Sequence, residues 1–365
     1  MAKFTTLVMA PTGAPPGDSG TQTGDGMTPR HSVTPTVSAT TTDVIAAAIG
    51  WLLASTEPGI RLQTRRNLLG ERVTAADRVE VLEGAMVRRL LDGQQADGGF
   101  GGHPYAKWTG AHWRLVSLVE LAIPPGEPRA VAMAGRVLDW LTSPAHRNRI
   151  RTVGGLTRRC ASQEGNALAA VCRLGLATDD RVRDIARSLV AWQWPDGGWN
   201  CDVAASGRRS SFHETLPPAW GLHEYATATG HPAAREASHR AAELLLEHHV
   251  FRSAGTGDPI HPSWQVLHYP PYWHYDVLQA LVVLDRMGFV RDPRASDALD
   301  HLERRRRKDG RWRAGAYWWR PPGSTGGAVE VVDWGRGGPN EMITLNALRV
   351  LRGAGRLSTR SSRPT

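Results

Sequence analysis

The stretch Gln193-Trp194-Pro195-Asp196-Gly197-Gly198-Trp199 decides how this chain is read. Its glycine pair lets the backbone turn sharply with positive φ. Asp196 can bond the backbone of that turn, and Trp199 can pack back over it. Gln193 stands where a helix end leaves backbone groups without partners. Related turns occur as Gln94-Gln95-Ala96-Asp97-Gly98-Gly99-Phe100 and as Lys308-Asp309-Gly310-Arg311-Trp312. Degenerate copies read as Val153-Gly154-Gly155-Leu156 and as 258–264. These residues hold a fold together; they do not perform chemistry.

Helices flank each turn. Breaks such as Pro124-Pro125-Gly126-Glu127-Pro128-Arg129, Gly175-Leu176-Ala177-Thr178-Asp179-Asp180-Arg181 and Gly288-Phe289-Val290-Arg291-Asp292-Pro293-Arg294 end one helix on Gly and start the next on Asp or Pro. A second helix follows each turn, over 109–121, 163–174, 215–227, 273–287 and 341–351. Runs such as Ala167-Leu168-Ala169-Ala170-Val171 and Ala280-Leu281-Val282-Val283-Leu284 make these helices apolar on most faces, so they belong inside a ring of others. Their partners carry more Arg, Asp and Glu, as an outer layer should. Each unit spans about fifty residues, enough for two helices and their loops. Residues 43–55 and 75–91 supply one further pair. The expectation is an all-α ring, a toroid of about six helical hairpins with inner and outer layers.

Residues 1–42 are low in large apolar side chains and read as a disordered segment, with Met27 as an alternative start. Residues 43–355 read as one domain and 356–365 as a disordered tail. The chain has 365 residues, 41% hydrophobic and 22% charged, a composition that supports a packed core. No stretch approaches the ~20 apolar residues of a membrane-spanning helix. The Thr-, Gly- and Pro-rich beginning does not read as a secretory signal. The odd set Cys160, Cys172 and Cys201 suits a reducing, cytoplasmic setting. The net charge of +9 would suit nucleic acid. Only Lys3, Lys107 and Lys308 among the 44 basic residues are Lys, however, and the Arg excess is local, at 304–313 and 349–363. No nucleic-acid partner is expected.

The Gln-x-x-Asp-Gly-Gly-aromatic turns, the fifty-residue helix pairs and the apolar second helices resemble the terpenoid cyclase and protein prenyltransferase superfamily, over roughly 43–355. The resemblance implies the α/α toroid of squalene-cyclase-like enzymes and prenyltransferase β subunits, acting on isoprenoids. The chain departs from both. It lacks the Asp-x-Asp-Asp acid motif of class II cyclases, its nearest pair being Asp179-Asp180 at a helix start, and it has length for one toroid. It also lacks the Asp-x-Cys zinc motif of prenyltransferases. Hopene-type cyclisation is therefore not expected.

In such a ring the segments entering the inner helices line one mouth of the central cavity, and here they are dense in reactive groups. Acid–base work would fall to Glu164, His213, Glu214, His274 and Asp276. Lys107, His112, Trp113, Arg114, Trp220, Tyr272, Trp273, Tyr275, Asn340 and Glu341 would bind substrate. The aromatic faces would hold an isoprenoid chain and stabilise positive charge on it, and Arg114 and Lys107 would meet a diphosphate. Cys201, His213, His274 and Cys160 are the types that Zn²⁺ prefers. Bland readings stand beside these. Glu164, Glu214 and Glu341 suit a first helical turn, and Asn340 an N-cap. Three functions follow: an isoprenoid enzyme acting on a prenyl-type substrate in the cavity; a non-catalytic toroid holding a lipid or peptide; or a zinc-dependent transferase that needs a protein partner. A homo-oligomer is a further expectation.

Overall fold

The computed structural model describes residues 41–357, which form fourteen α-helices and one short hairpin. The order begins α1 (Thr41–Leu53), α2 (Pro58–Thr64), α3 (Ala75–Leu82), α4 (Ala85–Leu91), α5 (Ala111–Glu120), α6 (Pro128–Thr142) and α7 (Pro144–Arg147). The hairpin β1 (Arg151–Val153) and β2 (Leu156–Arg158) follows. Then come α8 (Ser162–Arg173), α9 (Asp180–Trp192), α10 (Phe212–Thr229), α11 (Pro232–Glu247), α12 (Val277–Arg286), α13 (Ser296–Arg304) and α14 (Glu341–Gly353). The all-α expectation holds, and no described helix is long and apolar enough to cross a membrane.

Boundaries differ from expectation in several places; α12, for one, starts at Val277 instead of Trp273. The low-complexity segment up to residue 40 lies outside the described residues, but Thr41 and Thr42 already belong to α1. Arg356, assigned to a loose tail, is pinned by Asp300, by Glu303 (2.8 Å) and by Ser296 Oγ (2.9 Å), while 358–365 lie outside the described residues. The expected helix over 75–91 breaks at Glu83-Gly84, where Gly84 turns extended and Glu57 Oε2 accepts the Met86 N–H at the start of α4. Gly154-Gly155 is not a degenerate helix-end turn. Both residues have positive φ, 58° and 77°, and they form the tip of the β1–β2 hairpin.

The three main turns behave as their residues predict. Gly98, Gly197 and Gly310 have φ of 78°, 94° and 77°. Each also seats tightly on a helix: an added Cβ would come within 2.2 Å of Ala132 O, 2.6 Å of Arg240 O and 2.4 Å of Val44 O. The turn after α4 thus rests on α6, the turn after α9 on α11, and the turn after α13 on α1. Gln193 Nε2 bridges turn and neighbour, donating to Gly197 O and Ala237 O, both at 2.7 Å. Trp199 and Trp312 fold back to donate their Nε1–H to Leu189 O and Leu302 O. Asp97 and Asp309 accept from the turn backbone, whereas Asp196 instead accepts from Ser210, pulling in the loop before α10.

The apolar helices pack in sequence: α5 on α8, α8 on α10, α10 on α12, α12 on α14, and α14 on α2. The step from α2 back to α5 is made by Gln63 Nε2, which donates to Glu120 O, and by Gly59, whose Cβ would fall 2.2 Å from Leu121 O. The most extensive of these contacts joins α8 and α10. Gly165 lies against Pro217-Pro218 and Gly221 against Gly165 O, so neither glycine has room for a side chain. The two prolines sit inside α10 and lack N–H groups, which lets α8 approach their backbone directly.

Candidate functional site

The stretches leading into α8 and α10 bring Cys160, Cys201 and Glu214 together, with their donor atoms all within 4.8 Å of one another. Among the described residues they are the group that could hold a metal ion. Cys160 follows β2, and Arg159 N–H donates to Asn200 O, which ties this strand end to the segment carrying Cys201. Glu214 lies in the first turn of α10. Its Oε2 accepts the Ser162 N–H at 2.8 Å, and its Oε1 lies 3.7 Å from Cys201 Sγ. The Cys201 thiol is pushed up by a hydrogen bond with the free Cys160 thiol, by burial and by Glu214. Burial likewise pushes Glu214 up, against the Ser162 N–H. Such groups give up their protons when a cation arrives, so the donor set fits one.

A second buried cluster stands beside this one. Glu164 Oε1 accepts from Arg159 Nε at 2.9 Å and faces His146 Nε2 at 3.0 Å. Burial works to raise Glu164, but His146 and Arg159 outweigh it and hold its pKa below the usual value. An ionised carboxylate held this way is a poor proton donor at neutral pH. Tyr105 joins the two clusters to a cavity. Burial, Glu214 and Cys160 push its phenol well above the ordinary value, and its ring packs on Trp113 at 5.0 Å.

Trp113, Trp220, Tyr272 and His274 line that cavity, together with Asn166, Gln279, Glu120 and Arg286. Its cavity volume is about 60 Å³, and it is partly open to solvent. Tyr272 has φ 54°, a conformation costing a non-glycine residue about 1–3 kcal/mol. It is held by stacking on Trp108 at 3.5 Å and by donating its hydroxyl to Glu330. At the opposite end Arg286 Nη2 meets both oxygens of Glu120, at 2.8 and 3.0 Å, with its guanidinium 4.7 Å from the Trp220 ring.

Other expected site residues fall elsewhere. His213 and His274 do not join the cysteines as metal ligands. His213 Nδ1 accepts the Tyr275 N–H at 2.8 Å, and His274 is stacked between Trp273 and Trp318, both at 3.9 Å. Tyr275 is buried against Phe212 and Trp264, and neither it nor Trp273 lines the cavity. Asp276 caps α12, accepting from Gln279 N–H and from His268. Asn340 caps α14. Glu341 interacts with Ser55. Arg114 donates through Nε and Nη1 to Thr109 O, Leu90 O and Asp92 O and covers Phe100, and it does not line the aromatic cavity. Lys107 lies over Trp108 and Trp273. Asp179 caps α9, as a helix-start Asp should. Glu120, Gln279 and Arg286 were missed, although Gln279 interrupts an apolar run and so carried a signal.

Burial lowers His112 and His274 to about 3 and His213 to about 4, from the usual 6.5. The three rings are neutral in the folded protein. Below pH 6.5 the unfolded chain takes up protons that the folded chain refuses. Stability should therefore be full above about pH 6.5 and fall as pH drops toward 4, by about 1.4 kcal/mol per pH unit for each proton taken up. Urea midpoints between pH 7 and 4.5 test this. His112→Leu, which removes two buried ring nitrogens without partners, should flatten the curve; an unchanged slope would show that His112 is not among the groups responsible.

Compared with known proteins, the chain matches no family model and no curated protein.

Proposed function

We propose that the helices form an α/α toroid and that the chain is a metal-dependent enzyme acting on a substrate with an apolar, prenyl-type chain. The closing circuit of helix contacts, with the last glycine turn seated on α1, supports the toroid. The observation that carries the enzymatic reading is the meeting of Cys160, from the entry to α8, with Cys201 and Glu214, from the entry to α10, and the packing of Tyr105 beside that group and against Trp113 of the cavity wall. Two thiolates and one carboxylate suit Zn²⁺ with one position left open. When bound, Zn²⁺ would supply Lewis acidity and lower the pKa of a thiol or water at that position.

The chain's own residues do the rest. Trp113, Trp220 and Tyr272 exclude water from the apolar chain and favour positive charge developing along it, by about 0.5–2 kcal/mol per ring. Tyr105 keeps its proton and separates the metal group from the aromatic wall. Glu164 and Arg159 fix the segment that presents Cys160. Purified full-length protein should carry about one zinc per chain by mass spectrometry of metals, and Cys201→Ser should lose it while keeping its helical circular dichroism. Protein that stays metal-free in zinc-supplemented medium ends this reading. Bound ligand released unchanged after a single-turnover incubation would instead mark a carrier, a reading that the stacked His274 and the ion-paired Glu164 favour.

A further inference from the structure

α2 does not stop at Thr64 but runs on into a π-helical turn, Arg65–Leu69, which ends on Gly70 at φ 74°. Such turns are rare and recur at functional sites. This one sends two adjacent arginines to different neighbours. Arg65 Nη2 is spent on Asp77 at 2.6 Å, whereas Arg66 bonds only the side chain of Asn67, at 2.9 Å. Arg66 lines a cavity of about 180 Å³, partly open to solvent, together with Arg78 of α3 and Arg173 of α8. Leu62 and Ile123 add apolar surface to it.

The charges around this cavity do not cancel. Glu224 is the one carboxylate among the residues lining it, and its Oε1 already accepts from Arg173 Nη1 at 3.1 Å and from Trp220 Nε1 at 2.9 Å. Among the described residues Arg78 has no side-chain hydrogen-bond or ion-pair partner. Arg66 is held below its usual pKa by burial and then by Arg173, Arg78 and Arg286, and no carboxylate opposes them. Three guanidinium groups against one carboxylate leave a net charge of +2. Helix dipoles explain only part of this. Arg173 is the last residue of α8, where a cation is favoured, but Arg78 lies near the start of α3, the wrong end for one.

The cavity is separate from the cysteine group. α8 and α10 run side by side in the same direction, since Ser162 meets Glu214 near their starts and Arg173 meets Glu224 toward their ends. Ser162 and Arg173 open and close α8, about 16 Å apart along its axis. The arginines thus gather at the opposite end of these helices from Cys160, Cys201 and Glu214.

We infer that this cavity binds a dianionic phosphate group, free or as a phosphomonoester, between Arg66, Arg78 and Arg173. Guanidinium N–H groups match phosphate oxygens in pairs, and two negative charges balance the excess of two. The volume is more than ten times the ~15 Å³ that one water needs, so a phosphate group fits with a few carbon atoms beside it.

Calorimetric titration of the full-length protein with inorganic phosphate and with butyl phosphate, at pH 8 and low ionic strength, should give one site per chain. Arg66→Gln and Arg78→Gln should each weaken binding about 10-fold, and the double variant should abolish it. Because these charges repel one another in the ligand-free protein, neither single variant should melt below the wild type without phosphate, and both should lose the stabilisation that phosphate brings. Tighter binding of butyl phosphate assigns a phosphomonoester with its carbon chain against Leu62 and Ile123; equal or weaker binding assigns free phosphate. Cys201→Ser should bind phosphate as the wild type does, and a loss there would move the anion to the cysteine end and overturn the assignment. No binding at millimolar phosphate, binding unmoved by both arginine substitutions, or ligand-free variants markedly less stable than the wild type also overturns it.

Discussion

Gly165→Ala should destabilise the protein by about 3 kcal/mol and, with the proposed metal bound, weaken its retention at the same time. The new methyl would lie 2.3 Å from Pro218 N, 2.4 Å from Pro217 C and 2.7 Å from Pro217 O. All three are backbone atoms of a helix interior, so no side chain can swing away. α8 and α10 must separate, and their packing cannot be restored locally. Glu214 stands one turn before these prolines and Ser162 one turn before Gly165, so separation also strains the Ser162 N–H bond to Glu214. Gly221→Ala attacks the same contact from the other side, 2.4 Å from Gly165 O, and should match it in sign. The control is Gly135→Ala in α6, where nothing lies within 4 Å. It should stabilise by about 0.5–1 kcal/mol through helix propensity alone. Chemical denaturation of the three variants decides the matter, and a Gly165→Ala protein as stable as the control would mean that α8 and α10 are not this close.

Arg286→Met should cost about 3 kcal/mol at neutral pH, mostly by stranding Glu120. The pair is buried, with side-chain exposures of 8% and 15%. Burial works to raise Glu120, and Arg286, followed by Arg173 and Arg349, brings its pKa below the usual value. Without Arg286 the carboxyl moves upward. Its ionised form then penalises folding above its new pKa, and protonation relieves the penalty as pH falls. The deficit relative to wild type should therefore shrink on acidification, and adding Glu120→Gln should recover most of it at pH 7. A double variant no more stable than Arg286→Met would locate the loss in the Arg286 stacking on Trp220 instead of in the stranded charge.

The turns were legible because their information is local. Gly197 needs a positive φ whatever surrounds it, and Asp97 and Asp309 reach backbone only two residues away. The apolar runs of α8 and α12 announced buried helices for the same reason. α2 was missed because seven residues, Pro58–Thr64, are too few to show a period, and Pro58 at its start reads equally well as a loop. The site was half legible. Cys160 and Cys201 were placed in one candidate set by type, and Glu214 was singled out as an acid. The histidines were misassigned because residue type does not say what a ring will stack on, and only the packing of Trp273 and Trp318 shows His274 to be engaged.

The amino-acid sequence by itself determined the helical class, the repeat of turn and helix pair, and the segments from which reactive groups would come, since each depends on torsions and periodicities within a few residues. Only the tertiary structure decided which of those groups meet. Cys160, Cys201 and Glu214 converge, and Trp113, Gln279, Glu120 and Arg286 share one wall, because helices far apart in the chain pack at distances that a single methyl group at Gly165 or Gly221 would alter.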